Sequence, residues 1–169
     1  ADPATLLGCH LLVTWYGNPH SPRMGVLGEA SGASRAAALR RQAAAYAGLT
    51  GKTVLPAYHL VAVVAQPTAA GGHWRRREST AVISGLLAEA RANGFHLVLD
   101  VQPGRAQVAD EVAYLRPFLS EPDVHLTLDP EFAMLEGQVP GRTIGHLHAA
   151  AVNAALDVVE SIVAGRALP

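Results

Sequence analysis

Hydrophobic residues along this chain gather in short, nearly unbroken runs, separated by stretches in which they recur every three or four positions. The runs Leu11 to Tyr16, Val54 to Val64, His96 to Val101 and Val124 to Leu128 are rich in Val, Leu or Tyr and bounded by polar or turn residues, which predicts strands. Because apolar positions do not alternate with polar ones, both faces of these strands are expected to be buried. Between them, Thr80 to Asn93 carries Val82, Ile83, Leu86, Leu87 and Ala90 on one helical face and stops at Gly94. Gln107 to Leu119 repeats the pattern with Val108, Val112, Leu115 and Leu119, so it too predicts one helix. An Ala- and Arg-rich segment from Ser34 to Ala47 and a long segment from about Leu147 to Val163 complete the helical set.

Strand and helix thus alternate four times, and right-handed crossovers turn that pattern into a parallel sheet covered by helices, an α/β fold. Two architectures satisfy it: a TIM-barrel-type β/α repeat, or an open doubly wound parallel sheet. A full eight-unit barrel needs about 250 residues. The 169 residues here suffice for about four β/α units, a half or incomplete barrel, and they are expected to form a single β/α domain over 1–169. The stretch Pro67 to Arg77, with paired Ala, paired Gly and three consecutive Arg, reads as a long exposed loop.

Composition narrows the function classes. Half of the residues are hydrophobic and 16% are charged, which excludes intrinsic disorder, and no apolar run approaches the roughly 20 residues that span a bilayer. Thirteen Lys and Arg against fourteen Asp and Glu give a net charge of -1, so no nucleic-acid partner is expected. Cys9 is alone and cannot form an internal disulfide; it reads as a buried small hydrophobe in a strand. Ala1-Asp2-Pro3 lacks the basic and apolar regions of a signal peptide but suits the mature end left by cleavage after a small residue. A cytosolic chain fits it equally.

Ligands of parallel α/β folds meet the carboxyl ends of the strands, so the residues following each apolar run carry the candidate chemistry. These ends are Trp15-Tyr16-Gly17-Asn18-Pro19-His20, Tyr58-His59 and onward to Gln66, Asp100-Val101-Gln102-Pro103-Gly104-Arg105, and Asp129-Pro130-Glu131-Phe132. Asp100 and Asp129 close equivalent Leu-rich strands, and two carboxylates facing one crevice can divide acid and base roles as glycoside hydrolysis requires. Either could instead cap a helix or order a loop. Glu131 is the reserve acid. Tyr16, His20, His59 and Gln102 suit stacking and hydrogen bonding to a polyhydroxylated ligand, and Arg105 suits an anionic substituent or a carboxylate partner. A mixed set of His59, Asp100, Asp129 and Glu131 has the oxygen and nitrogen donors that Mg, Mn or Zn prefer, although no metal or other cofactor is expected. His146 and His148, two apart, do not share a helical face and are not expected to bind one. No GxGxxG or GxxxxGK[ST] loop follows a strand, no Gly-x-Ser-x-Gly elbow is present, and nucleotide cofactors and serine acyl transfer lose weight accordingly.

The four strand-end segments, Trp15 to His20, Pro56-Ala57-Tyr58-His59-Leu60, Leu99 to Arg105 and Leu126 to Phe132, together resemble an uncharacterised family of bacterial secreted proteins and lipoproteins that look like glycoside-hydrolase-like TIM barrels. The resemblance covers nearly the whole chain, and its third and fourth segments are the most specific. It implies a barrel-type fold and an extracellular or cell-envelope setting, with further β/α units after the last helix. A half barrel leaves two unpaired strand edges, through which a homodimer is conceivable. The function expected is a carbohydrate-active hydrolase using Asp100, Asp129 and Glu131. The alternatives are a non-catalytic extracytoplasmic carbohydrate-binding or scaffold protein, and a metal-dependent phosphoesterase or deacetylase.

Overall fold

The protein, seen in a computed structural model, is described over residues 6–69, 72–166 and 168. Ala1-Asp2-Pro3 lies outside the described residues, as do Ala70 and Gly71 of the stretch expected to be a loop. The fold is mixed α/β. In chain order the elements are α1 (Leu6–Cys9), β1 (His10–Gly17), α2 (Gly32–Ala47), β2 (Thr53–Ala65), β3 (Arg75–Arg77), α3 (Thr80–Ala92), β4 (His96–Val101), α4 (Val108–Tyr114), α5 (Arg116–Leu119), β5 (Val124–Leu128) and α6 (Ala149–Arg166). The sheet runs in the order β1-β2-β4-β5, with β3 paired to β2 off this path. β1 and β2 are parallel over His10↔Thr53 to Gly17↔Leu60.

The chain divides into two compact units, one reaching to Leu60 and resuming over Thr80–Val98, the other comprising Val61–Ser79 and Leu99–Leu168. In the first unit, α3 buries Ile83, Leu86, Leu87 and Ala90, the stripe its spacing requires, and α2 buries Ala36, Leu39 and Ala43. Each such Leu or Ile contributes about 1.5–3 kcal/mol when removed from water. Trp15, at the edge of this core, satisfies its indole by donating to Gln42 Oε1 at 2.6 Å. A buried ionic group crosses the same unit: Arg35, 4% exposed, forks onto Glu89 at 3.1 and 2.6 Å, and the Tyr58 hydroxyl donates to Glu89 Oε1 at 2.9 Å. Burial, and then the neighbouring Glu89 carboxylate, push the Tyr58 hydroxyl up to about 12. These partners lie on different elements, so no local pattern announces them.

In the second unit the core is built from Val61, Val63, Leu99, Val101, Val112, Leu115 and neighbours, and α6 lies against α4 while burying Ala155 and Ile162. Three sequence expectations are corrected. The helix expected over Gln107 to Leu119 is two helices broken at Leu115, because Pro117 has no N–H for the ladder. Arg75–Arg77, expected to be loop, is a strand antiparallel to β2, with Val63↔Arg77 and Ala65↔Arg75 in register. Alternation sends Arg75 and Arg77 to one side, where both bind the fully buried Glu111 at 2.9 and 2.7 Å, while Arg76, 63% exposed, pairs with Glu78. Glu111 raises the Arg77 guanidinium above its ordinary value. Cys9 ends a single helical turn and is exposed, not a buried strand residue.

Candidate functional site

The expected site residues fall into the two units, Tyr16, His20 and His59 in the first, Asp100, Gln102, Arg105, Asp129 and Glu131 in the second. In the first unit, parallel register sets Tyr16 beside His59, and their rings meet edge to face at 5.0 Å. Burial holds the His59 imidazole down at about 4, so it is neutral at physiological pH. The loop after β1 is fixed by backbone that only glycine permits: Gly17 (φ 139) and Gly25 (φ 114) pass so close that a Cβ on either would meet a backbone oxygen at 2.5 Å. Buried Asn18 orders the turn by accepting the His20 N–H at 3.0 Å, and the His20 ring stays exposed.

In the second unit the strand ends form a denser polar group. Gln102 leaves β4, anchors its backbone N–H to Val63 O at 3.0 Å, and turns its side chain inward to 5% exposure. There its Oε1 accepts the Ala65 N–H at 3.2 Å and its Nε2 donates to Asp129 Oδ2 at 3.2 Å. The two carboxylates that looked equivalent in sequence are placed differently. Asp100, on β4, is 3% exposed and accepts a hydrogen bond from Thr127 Oγ1 at 2.8 Å, so it ties β4 to β5. Asp129, half-buried just past β5, makes no capping bond to the turn Pro130–Phe132, and among the described residues the Gln102 amide is its single side-chain partner. Glu131 is exposed on that turn; its backbone oxygen accepts the Gly145 N–H at 2.6 Å. Because β5 ends at Leu128, Asp129 and Glu131 do not continue a strand face.

Arg105 is held inside the unit. Its guanidinium lies 4.4 Å from the Trp74 ring centre and donates to Gln138 O at 2.7 Å. Beneath it the chain is tightly fitted: Trp74 has a positive φ of 56°, and a Cβ on Gly104 would strike the His73 and Trp74 carbonyl oxygens at 2.5 Å.

A cleft of about 380 Å³ opens beside this group, lined by Ala65, Pro67, Phe132, Pro140, Gly141 and Arg142. Ala65, whose N–H is bound by Gln102, belongs to its wall, so one amide side chain connects the cleft lining to Asp129. The lining is apolar apart from Arg142, and Asp129 and Glu131 lie outside it. Sequence reasoning stopped at Phe132 and missed Pro140 to Arg142, because the chain reaches the cleft there from a loop with no apolar run to mark it. Among the described residues, no group of three or more His, Cys, Asp or Glu side chains is placed to hold a metal ion, and no helix is long and apolar enough to cross a membrane.

The chain matches no family model, no curated protein and no solved structure.

Proposed function

We propose that this protein is a carbohydrate-active hydrolase of glycoside-hydrolase-like type, working in the extracellular space or cell envelope. The cleft of the second unit receives the sugar, and Asp129 is the working carboxylate. The observation that carries this reading is the state of Asp129: half-buried, held by one neutral amide from a buried Gln102, and joined through that amide to a cleft with an aromatic lining residue. A carboxylate so placed can accept a sugar hydroxyl or shuttle a proton, because its hydrogen-bonding capacity is not consumed by the fold. Glu131, exposed two residues on, supplies the second acid of the pair. Asp100 acts through position, fixing the strand ends by its bond to Thr127. The strand order β1-β2-β4-β5, in which each long strand follows its predecessor, supports a barrel-type β/α repeat as the architecture.

Turnover of a glycan panel by wild type and by Asp129→Asn tests the proposal. The expected loss is about 10²–10⁴-fold, the contribution of a positioned acid or base. Unchanged hydrolysis of a responsive glycan removes Asp129 from the reaction. One observation favours a second reading, recognition without turnover: the burial of Asp100 leaves both accessible acids on one short turn. That reading predicts a glycan that raises the melting temperature and yields no product.

A further inference from the structure

The cleft has a polarity that the carbohydrate reading leaves unused. Arg75, Arg76, Arg77, Arg105 and Arg116 of the second unit all donate to protein acceptors. The side chain of Arg142, which lines the cleft, has no ion pair, hydrogen bond or ring contact among the described residues. The backbone that carries it is nonetheless fixed, because the turn is fastened at both ends. Gln138 O accepts from Arg105 at 2.7 Å, and the Arg142 and Thr143 N–H groups both bond Val139 O, at 3.0 and 3.1 Å. Farther on, Gly145 N–H bonds Glu131 O at 2.6 Å and His146 N–H bonds Ala133 O at 3.3 Å. Gly145 lies so close to Ala133 O that no side chain fits between them.

An exposed arginine on a mobile loop says little. An unpaired guanidinium on a pinned turn, lining a cleft whose other walls are Phe132, prolines, alanine and glycine, offers a planar donor fork to a planar or tetrahedral anion. We infer that the ligand of this cleft is an anionic sugar, a uronate or a sulfated residue, with its charged substituent on Arg142 and its ring against Phe132. The inference rests on the carbohydrate reading and narrows it to a substrate class. Asp129 and Glu131, neither of which has a cationic partner among the described residues, oppose this charge unless it is directed to Arg142, so the cleft selects for where the substituent sits as well as for its presence.

The test is calorimetric titration of wild type, Arg142→Gln and Arg142→Lys with three probes: a galacturonate tetramer, its methyl ester, and a sulfated galactan oligomer. The Arg142 side chain is exposed and unbonded, so unchanged melting temperatures are expected for both variants. The expected result is binding of an anionic probe at least tenfold tighter than the methyl ester, weakened by salt, with the preference abolished in Arg142→Gln and partly kept in Arg142→Lys. Preference for the galacturonate tetramer identifies a carboxylate, and preference for the galactan a sulfate. Equal binding of acid and ester, or a preference that survives Arg142→Gln, overturns the inference and leaves the carbohydrate reading standing. Binding of none of these probes, while a neutral glycan is bound or turned over, also overturns it. If no glycan of any kind binds, the carbohydrate reading itself falls.

Discussion

Glu111 and Asp129 are carboxylates of the same unit, and the contrast between them separates a charge that holds the fold from one that is available for chemistry. Glu111 is 0% exposed and its two oxygens take three bonds from Arg75 and Arg77, at 2.9, 2.7 and 3.1 Å. Asp129 is half-buried and takes one bond from a neutral amide. A buried ion is tolerated only when its partners replace the lost water, so Glu111 has no capacity left for a ligand. Asp129 keeps partial exposure to solvent and lone pairs that the fold does not use. The same distinction sorts the cations, since Arg75, Arg77 and Arg105 are engaged inside the protein and Arg142 is not.

Stability measurements can break that contrast. Glu111→Ala leaves two arginines facing an empty, water-poor site and is expected to cost about 3–5 kcal/mol, read from urea unfolding. A loss below about 1 kcal/mol would mean that the pair is replaceable by water. In the first unit, Arg35→Met takes both guanidinium bonds from Glu89 and leaves it the Tyr58 hydroxyl. The expected cost is smaller, about 2–3 kcal/mol, because the Glu89 side chain is 25% exposed and can recruit water.

His59 supplies a pH dependence of intermediate size. The unfolded chain protonates it below about 6.5, whereas the folded protein resists until about 4. The folded state is therefore favoured in full above pH 6.5 and loses this contribution as the pH falls from 6.5 to 4. The loss is on the order of 2 kcal/mol once residual water around the half-buried ring is allowed for. His59→Asn should flatten the unfolding free energy between pH 4.5 and 7, and an unchanged slope would show that other groups set it. Smallest of all, Asp129→Asn is expected to shift stability by less than about 1 kcal/mol while removing activity. A large destabilisation would place Asp129 with Glu111 among the structural charges.

Much of this was legible in the chain. The strands over 96–101 and 124–128 and the α3 stripe Ile83, Leu86, Leu87, Ala90 follow directly from hydrophobic spacing, because burial itself generates those periods. Where the structure departs from the hydrophobic pattern, single residues or distant ones decide it. Pro117 splits a helix whose apolar stripe continues across the break, and Arg75–Arg77 reads as a solvated charge run until Glu111, more than thirty positions away, neutralises it. The candidate site shows the same limit. Asp100 and Asp129 look alike locally, and their burial and their distant partners, Thr127 for one and Gln102 for the other, tell them apart. Pro140 to Arg142 join the cleft by a loop closure that no local pattern encodes.

Whether Asp129 and the cleft beside it receive a sugar, as proposed, is decided by seeing the ligand bound. A crystal structure of the protein soaked with an oligosaccharide identified by the binding panel tests it most directly. The expected result is a sugar ring against Phe132 with a hydroxyl or glycosidic oxygen within hydrogen-bond distance of Asp129. A sugar bound elsewhere, beside Tyr16 and His59 for instance, with the cleft empty, would contradict it.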